Sequence, residues 1–232
     1  MNSHLRHDLE KLKDRLLTLA AAVEENMRLS VKALETLSLP LGDDVIKNDT
    51  EIDRQEVEME EECLKILALH QPVASDLRFV VTVLKINNEL EHIGDMAANI
   101  AKRISFLKNP PAETSPFDIA QMTAKTLDML KSAVDAFMDE NEILALKVCN
   151  DDEQIDAVMR QCYQTVSARL ESGKCRTDSV NYLLICKNIE RIADLCTNIA
   201  EDVIYMRHSV IVRHNLPDIF YKLGTERDWQ SQ

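Results

Sequence analysis

Carboxylate side chains recur at a spacing of four residues at matching places in the two halves of this 232-residue chain. Asp49 and Asp53 form one pair, Glu91 and Asp95 a second, Asp152 and Asp156 a third, and Glu190 and Asp194 a fourth. At i and i+4 on a helix, side chains stand one above the other with Cβ atoms ~5–6 Å apart. Two carboxylates so placed repel by about a few tenths of a kcal/mol on an isolated helix. A bound cation reverses that sign, because hard oxygen ligands then converge on one ion. Asn99 and Asn198 stand one turn beyond the second and fourth pairs and add a neutral oxygen. The competing reading is a solvated acidic face, the usual fate of Asp and Glu on a polar helix surface. A single pair carries little weight against it, whereas four pairs at corresponding places carry more.

Other chemistry is sparse. There is no glycine-rich phosphate loop, no Ser/His/Asp set and no nucleophile elbow. The six cysteines (Cys63, Cys149, Cys162, Cys175, Cys186 and Cys196) show no Cys-x-x-Cys spacing and read as reduced and partly buried thiols. His4, His7, His70, His208 and His214 are scattered, and His92 beside Glu91 reads as a surface residue within reach of the acidic site. Asp76 and Arg78 suit a local ion pair at a helix start. The nine methionines suit gap-filling in a core.

The elements that position these residues are helices. Only 4 Gly and 6 Pro leave too few turns for a sheet protein of this length. Apolar periodicity predicts helices over about 5–37, 42–70, 74–107, 117–139, 141–172 and 176–208. Pro40 with Gly42, Gln71 with Pro72, the segment from Asn109 to Pro116, and Gly173 supply the breaks. The halves repeat each other: Asp49-Thr-Glu-Ile-Asp53 returns as Asp152-Glu-Gln-Ile-Asp156 at an offset of 103. The run from Glu91 to Asn99 returns as Glu190 to Asn198 at an offset of 99. The four-residue difference falls near the intervening turn. The expected fold is all-α: two tandem three-helix bundles, residues 1–108 and 117–210, with a C-terminal tail at 211–232.

A helical wheel refines the site. Ile86, Leu90, Ile93, Ala97, Ile100 and Ile104 make the apolar stripe of the third helix, and Glu91, Asp95 and Asn99 fall roughly opposite. In the sixth helix Ile185, Ile189, Ile192, Cys196 and Ile199 lie opposite Glu190, Asp194 and Asn198. The carboxylates are therefore expected to line an outward groove, with the Asp49/Asp53 or Asp152/Asp156 pair across it. A carboxylate-bridged metalloenzyme on a helical bundle instead needs Glu-x-x-His pairs facing the bundle interior. The wheel turns these carboxylates the other way.

A net charge of −13 opposes contact with nucleic acid and anionic lipid. The charged N-terminus lacks a signal-peptide core and no apolar run is long enough to span a membrane, so a cytoplasmic location is expected.

The run Gln71-Pro-Val-Ala-Ser-Asp-Leu-Arg78, followed by Leu90-Glu-His-Ile-Gly-Asp95-Met-Ala-Ala-Asn99-Ile-Ala101, resembles the PhoU family. Ile189-Glu-Arg-Ile-Ala-Asp194-Leu-Cys-Thr-Asn198-Ile-Ala-Glu201 repeats the second motif. The resemblance extends from about residue 5 to 210. His92 stands where the family usually has Arg, and Ala193 where it usually has Gly. The resemblance implies a non-enzymatic, often homodimeric regulator of phosphate homeostasis. Such a protein would act with the ATPase subunit of the high-affinity phosphate ABC transporter and with a phosphate-sensing histidine kinase. It would restrain uptake and repress the starvation response when phosphate is plentiful, reaching the membrane only through these partners. The same resemblance implies divalent or trivalent metal ions, iron or zinc, held by Asp49, Asp53, Glu91, Asp95, Asn99, Asp152, Asp156, Glu190, Asp194 and Asn198. The alternative function is a carboxylate-bridged helical metalloenzyme or a simple metal-binding protein.

Overall fold

The computed structural model describes residues 3–108, 115, 117–173 and 177–209. The expected C-terminal tail at 211–232, most of the break at 109–116, and Cys175 lie outside these residues. Among the described residues six long helices account for the fold: α1 (Ser3–Thr36), α2 (Leu39–His70), α3 (Ala74–Arg103), α4 (Ile119–Met138), α5 (Glu142–Glu171) and α6 (Thr177–His208). A 3₁₀ turn, Ile104–Phe106, extends α3.

The helix ends follow local chemistry. Asp118 caps α4 by accepting from the Gln121 N–H, and Asn141 caps α5 by accepting from Ile143 and Leu144. The α2–α3 corner turns through left-handed Gln71 and then Pro72, as the sequence indicates. The first corner differs from expectation. Pro40 and Gly42 lie inside the opening turn of α2, because Ser38 caps the helix and a proline missing its N–H is tolerated there. Gly42 is buried beside the Ala101 carbonyl and the Ile104 side chain, which draws the start of α2 onto the end of α3.

Within each half the three helices pack on one another, and α3 also packs on α6 as extensively as on α2. The two bundles therefore share one continuous apolar core. The stripes anticipated on α3 and α6 are fully inside it, but both helices bury a second flank as well. Ala193 and Leu195 on α6, and Val80 and Ala98 on α3, are enclosed too. The α3–α6 contact is antiparallel. Lys85 donates to Asp202 at 2.7 Å and sits 4.9 Å from the centre of the Tyr205 ring. One turn further along α3, Asn198 donates to Glu89 at 3.3 Å. Arg78 donates from Nε to the Met206 carbonyl at 3.3 Å, so it ties α3 to the end of α6 rather than pairing with Asp76. Among the described residues no helix is long and apolar enough to cross a membrane.

Ile93 is 0% exposed at the centre of this shared core. Ile93→Asp is expected to cost about 4 kcal/mol or more, in the range of an unpaired buried charge. Urea unfolding followed by circular dichroism checks this, and both halves should lose structure in one transition. Two separated transitions would contradict a common core.

Candidate metal centre

Each acidic motif sits where two helices of one bundle meet. In the first groove Asp49 and Asp53 come from α2 and Glu91 and Asp95 from α3; Asp152 and Asp156 from α5 face Glu190 and Asp194 from α6 in the second. The structure thus sets each α2 or α5 pair across the groove from its partner. The carboxylates on α3 and α6 are half-buried shoulders of these grooves rather than fully outward residues. The wheel misses this because it contains only one helix at a time.

Asp49 is 8% exposed, and its Oδ1 has no hydrogen-bond partner. Gly94 creates the room: a Cβ there would stand 3.0 Å from Asp49 Oδ1 and 3.2 Å from Ile52. Burial, then the charges of Asp53 and Asp95, raise the Asp49 carboxyl from 3.8 to about 6, against an opposing pull from Lys102. The second groove repeats the anomaly at the corresponding residue. Asp152 Oδ1 is buried without a partner. Burial, then Asp156, Asp194, Glu190 and Glu153, raise its carboxyl to about 7. Glu91 is raised in the same way by burial and by Asp95.

A buried carboxylate oxygen without a donor is destabilising unless something satisfies it. A cation coordinated by oxygen satisfies it and cancels the repulsion along the groove. The donor set therefore fits a hard or borderline metal ion. As the side chains stand, no group of three or more His, Cys, Asp or Glu among the described residues is gathered tightly enough to hold one. Convergence requires side-chain rotation on fixed helices, a fast motion for half-exposed residues.

Not every expected ligand points the same way. Asn198 engages Glu89 across the α3–α6 seam, while Asn99 is half-buried on its own helix. The grooves also differ in counter-charge. Lys187 contacts Glu190 at 2.5 Å, Arg191 lies 3.5 Å from Asp194, and Arg160 lies 3.9 Å from Asp156. Among the described residues, no Lys or Arg pairs with Asp49, Asp53, Glu91 or Asp95.

Two features escape the sequence reading. Glu56 continues the acidic stripe of α2 into the first groove, raised by burial and by Glu60 and Asp53. Its signal was the run Asp49, Asp53, Glu56, Glu60, which keeps to one helix face. The sequence also contains a Glu-x-x-His run, Glu89 to His92. The structure separates its ends. Glu89 is buried toward α6, while His92 is 47% exposed beside Glu91. The pair does not form the inward-facing motif of a di-iron bundle.

Six long helices carrying a duplicated acidic motif define an all-α repeat protein with paired interhelical grooves. The chain belongs to the PhoU family: the PhoU domain model matches residues 16–104 and 119–203. It is 30% identical to the phosphate-specific transport system accessory protein PhoU homolog 1 of Thermotoga maritima, covering 88% of both chains. It is 32% identical to the corresponding PhoU homolog of Clostridium acetobutylicum, over 86% of this chain and 92% of that one. Among solved structures, the phosphate transport system regulatory protein PhoU of Streptococcus pneumoniae matches with a TM-score of 0.84 at 28% identity, over 90% of this chain and 99% of that one. PhoU of Pseudomonas aeruginosa matches with a TM-score of 0.81 at 30% identity, over 88% of this chain and 99% of that one.

The raised carboxyls give the metal-free protein a pH signature. Unfolded Asp ionises near ~4, whereas folded Asp49 and Asp152 hold protons to about 6 and about 7. Their stabilisation is complete below the unfolded value and is lost as pH rises through 6 and 7. Thermal melts without metal should show a Tm higher at pH 5 than at pH 8, at roughly 2–4 °C per kcal/mol for a chain of this size. Asp49→Asn with Asp152→Asn should flatten the slope. A wild-type Tm that rises from pH 5 to 8 would contradict the assignment.

Proposed function

We propose that this chain is a metal-dependent regulatory accessory protein of phosphate transport. It acts without catalytic turnover, as an adaptor between the ATPase subunit of a phosphate ABC transporter and a phosphate-sensing histidine kinase. It works in the cytoplasm as a homodimer and reaches the membrane through these partners. When phosphate is plentiful it restrains uptake and represses the starvation response. Membership of the PhoU family, together with the accessory and regulatory roles named for its relatives, supports the phosphate reading.

The observation that carries the metal reading is the buried, unpartnered carboxylate oxygen at the same place in each groove, Asp49 and Asp152. Asp49, Asp53, Glu91 and Asp95 would hold ions in one groove. Asp152, Asp156, Glu190 and Asp194 would hold them in the other, with Asn99 and Asn198 as neutral oxygens within reach. A donor set of oxygen alone favours hard ions, ferric iron among them, and admits zinc with weaker preference. An ion so bound would fix α2 against α3 and α5 against α6, and so shape the surfaces offered to partners.

Two experiments test this. Asp95→Ala with Asp194→Ala should lower the metal content of untagged protein purified without chelators. Helicity should be almost unchanged, since half-exposed substitutions cost about 0.5 kcal/mol or less. Helix loss with unchanged metal content would make these residues structural. In a strain deleted for the gene, the phosphate response should be derepressed, complementation should silence it, and the protein should co-purify with the transporter's ATPase subunit. An unchanged response in the deletion strain rules out the regulatory role.

A further inference from the structure

The outward face of α2 carries a line of apolar side chains that the rest of the fold leaves open. Ile52, Met59, Cys63 and Ile66 turn inward and fill the core. Val57 and Leu64 stand on nearly the opposite side, two turns apart along one line of the helix. They are 51% and 54% exposed, and Ala68, also exposed, continues the line. At the end of the helix Leu69 is 69% exposed, and Val73 in the corner that follows is 74% exposed. A solitary exposed leucine is ordinary on a protein surface. A line of them that broadens at a corner forms an apolar ridge, and such surfaces mark interaction sites.

Glu60 and Glu61 flank this line, and both are exposed. Among the described residues neither has an ion-pair partner. The cations of α2 nearby are engaged elsewhere: Arg54 holds Glu51 and Glu58, and Lys65 lies 3.3 Å from Glu62. The repeat supplies a control. At the offset of 103, Val57, Glu61, Leu64 and Ala68 are replaced on α5 by Arg160, Gln164, Ser167 and Glu171. The α5 helix has exposed apolar side chains of its own, Tyr163 and Leu170. They stand at the places of Glu60 and Leu67, along a different line of the helix surface. The three-helix unit therefore folds with polar side chains at every one of these positions, and the ridge on α2 is not a requirement of the fold.

Resting on the accessory-protein reading above, we infer that this ridge is a docking surface for a basic amphipathic helix of a partner protein. The apolar stripe of that helix lies on Val57 and Leu64 and ends against Leu69 and Val73 at the corner. Charge selects the occupant. Unpaired carboxylates beside exposed apolar side chains suit a helix whose apolar face is edged by Lys or Arg. A second copy of this chain, set ridge against ridge, would bring Glu60 and Glu61 against their own equivalents, which like-charge repulsion opposes. An anionic lipid surface meets the same repulsion. From Val57 to Leu69 the helix offers about 18 Å, the length of roughly twelve residues of a docked helix.

Titration of the full chain against a labelled Leu/Lys amphipathic helix, and against its Leu/Glu counterpart, tests this by fluorescence anisotropy, with the oligomeric state followed by sedimentation. The Leu/Lys helix should bind saturably and the Leu/Glu helix should not. Val57→Arg with Leu64→Ser, the residues of the α5 copy, should weaken Leu/Lys binding by about tenfold or more, with unchanged circular dichroism. Glu60→Lys with Glu61→Lys should weaken it too and lessen its salt dependence. Tyr163→Ser with Leu170→Ser should bind as wild type does. Wild-type affinity in the Val57→Arg, Leu64→Ser variant would reduce the contact to general charge attraction and overturn the ridge. An equal loss in the α5 variant overturns its location. A wild-type oligomer that dissociates in the ridge variant while peptide affinity holds makes a second copy the occupant and overturns it as well. In the deletion strain the ridge variant should fail to silence the derepressed response, and full complementation by it sinks the inference while the regulatory reading stands. A response that deletion leaves unchanged removes the regulatory reading, and peptide binding then judges the ridge alone.

Discussion

The antiparallel packing of α3 on α6 governs the geometry of everything around it. Each of these helices is the third member of its own bundle and also the other bundle's neighbour, so each must be apolar on two flanks. What remains is a narrow polar strip at the shoulder facing α2 or α5. The acidic motifs occupy that strip because little else of the helix surface is left to them. Lys85 with Asp202 and Asn198 with Glu89 set the register of the seam through polar contacts that a slide along the axis would break. A buried ionic contact adds little net stability but penalises misregistered packing.

The grooves use the opposite logic. Close approach of α2 at Gly94 removes water from Asp49 without supplying a donor, and Asp152 meets the same situation without a glycine. A protein selected only for stability would place a donor or an apolar residue at these positions. Local destabilisation at a groove that other groups do not relieve is a feature of binding sites.

Much of the fold was legible in the sequence because helix boundaries are local events. Gln71 with Pro72, and Gly173, mark ends that turn chemistry dictates. The duplication was legible because the Asp/Glu-x-x-x-Asp spacing survives in both halves. Contacts between distant segments were not. Arg78 reaches Met206, and Asn87 reaches Glu56, through packing that no window of sequence contains. Pro40 misled for a related reason, since the same residue ends one helix or opens another according to whether Ser38 caps. The acidic pairs were visible as pattern, but that Asp49 and Asp152 each hold an enclosed oxygen without a partner follows only from the approach of a second helix.

Cys162 and Cys186 add a last consequence of the duplicated design. Both are buried, on α5 and α6, and their thiols lie close enough to act on each other's ionisation, which burial holds back at Cys186. The equivalent positions in the first half are Met59 and Asn87. What one copy uses to hold a groove carboxylate, the other gives over to a soft sulfur contact inside its core. Since the shared interior ties both copies to a single folding unit, neither can be lost while the other is kept. Their margins, in contrast, are free to drift apart. A tandem repeat fused in this way is a template for divergence within one polypeptide, in which one half keeps an ancestral chemistry while its twin is remade as scaffold.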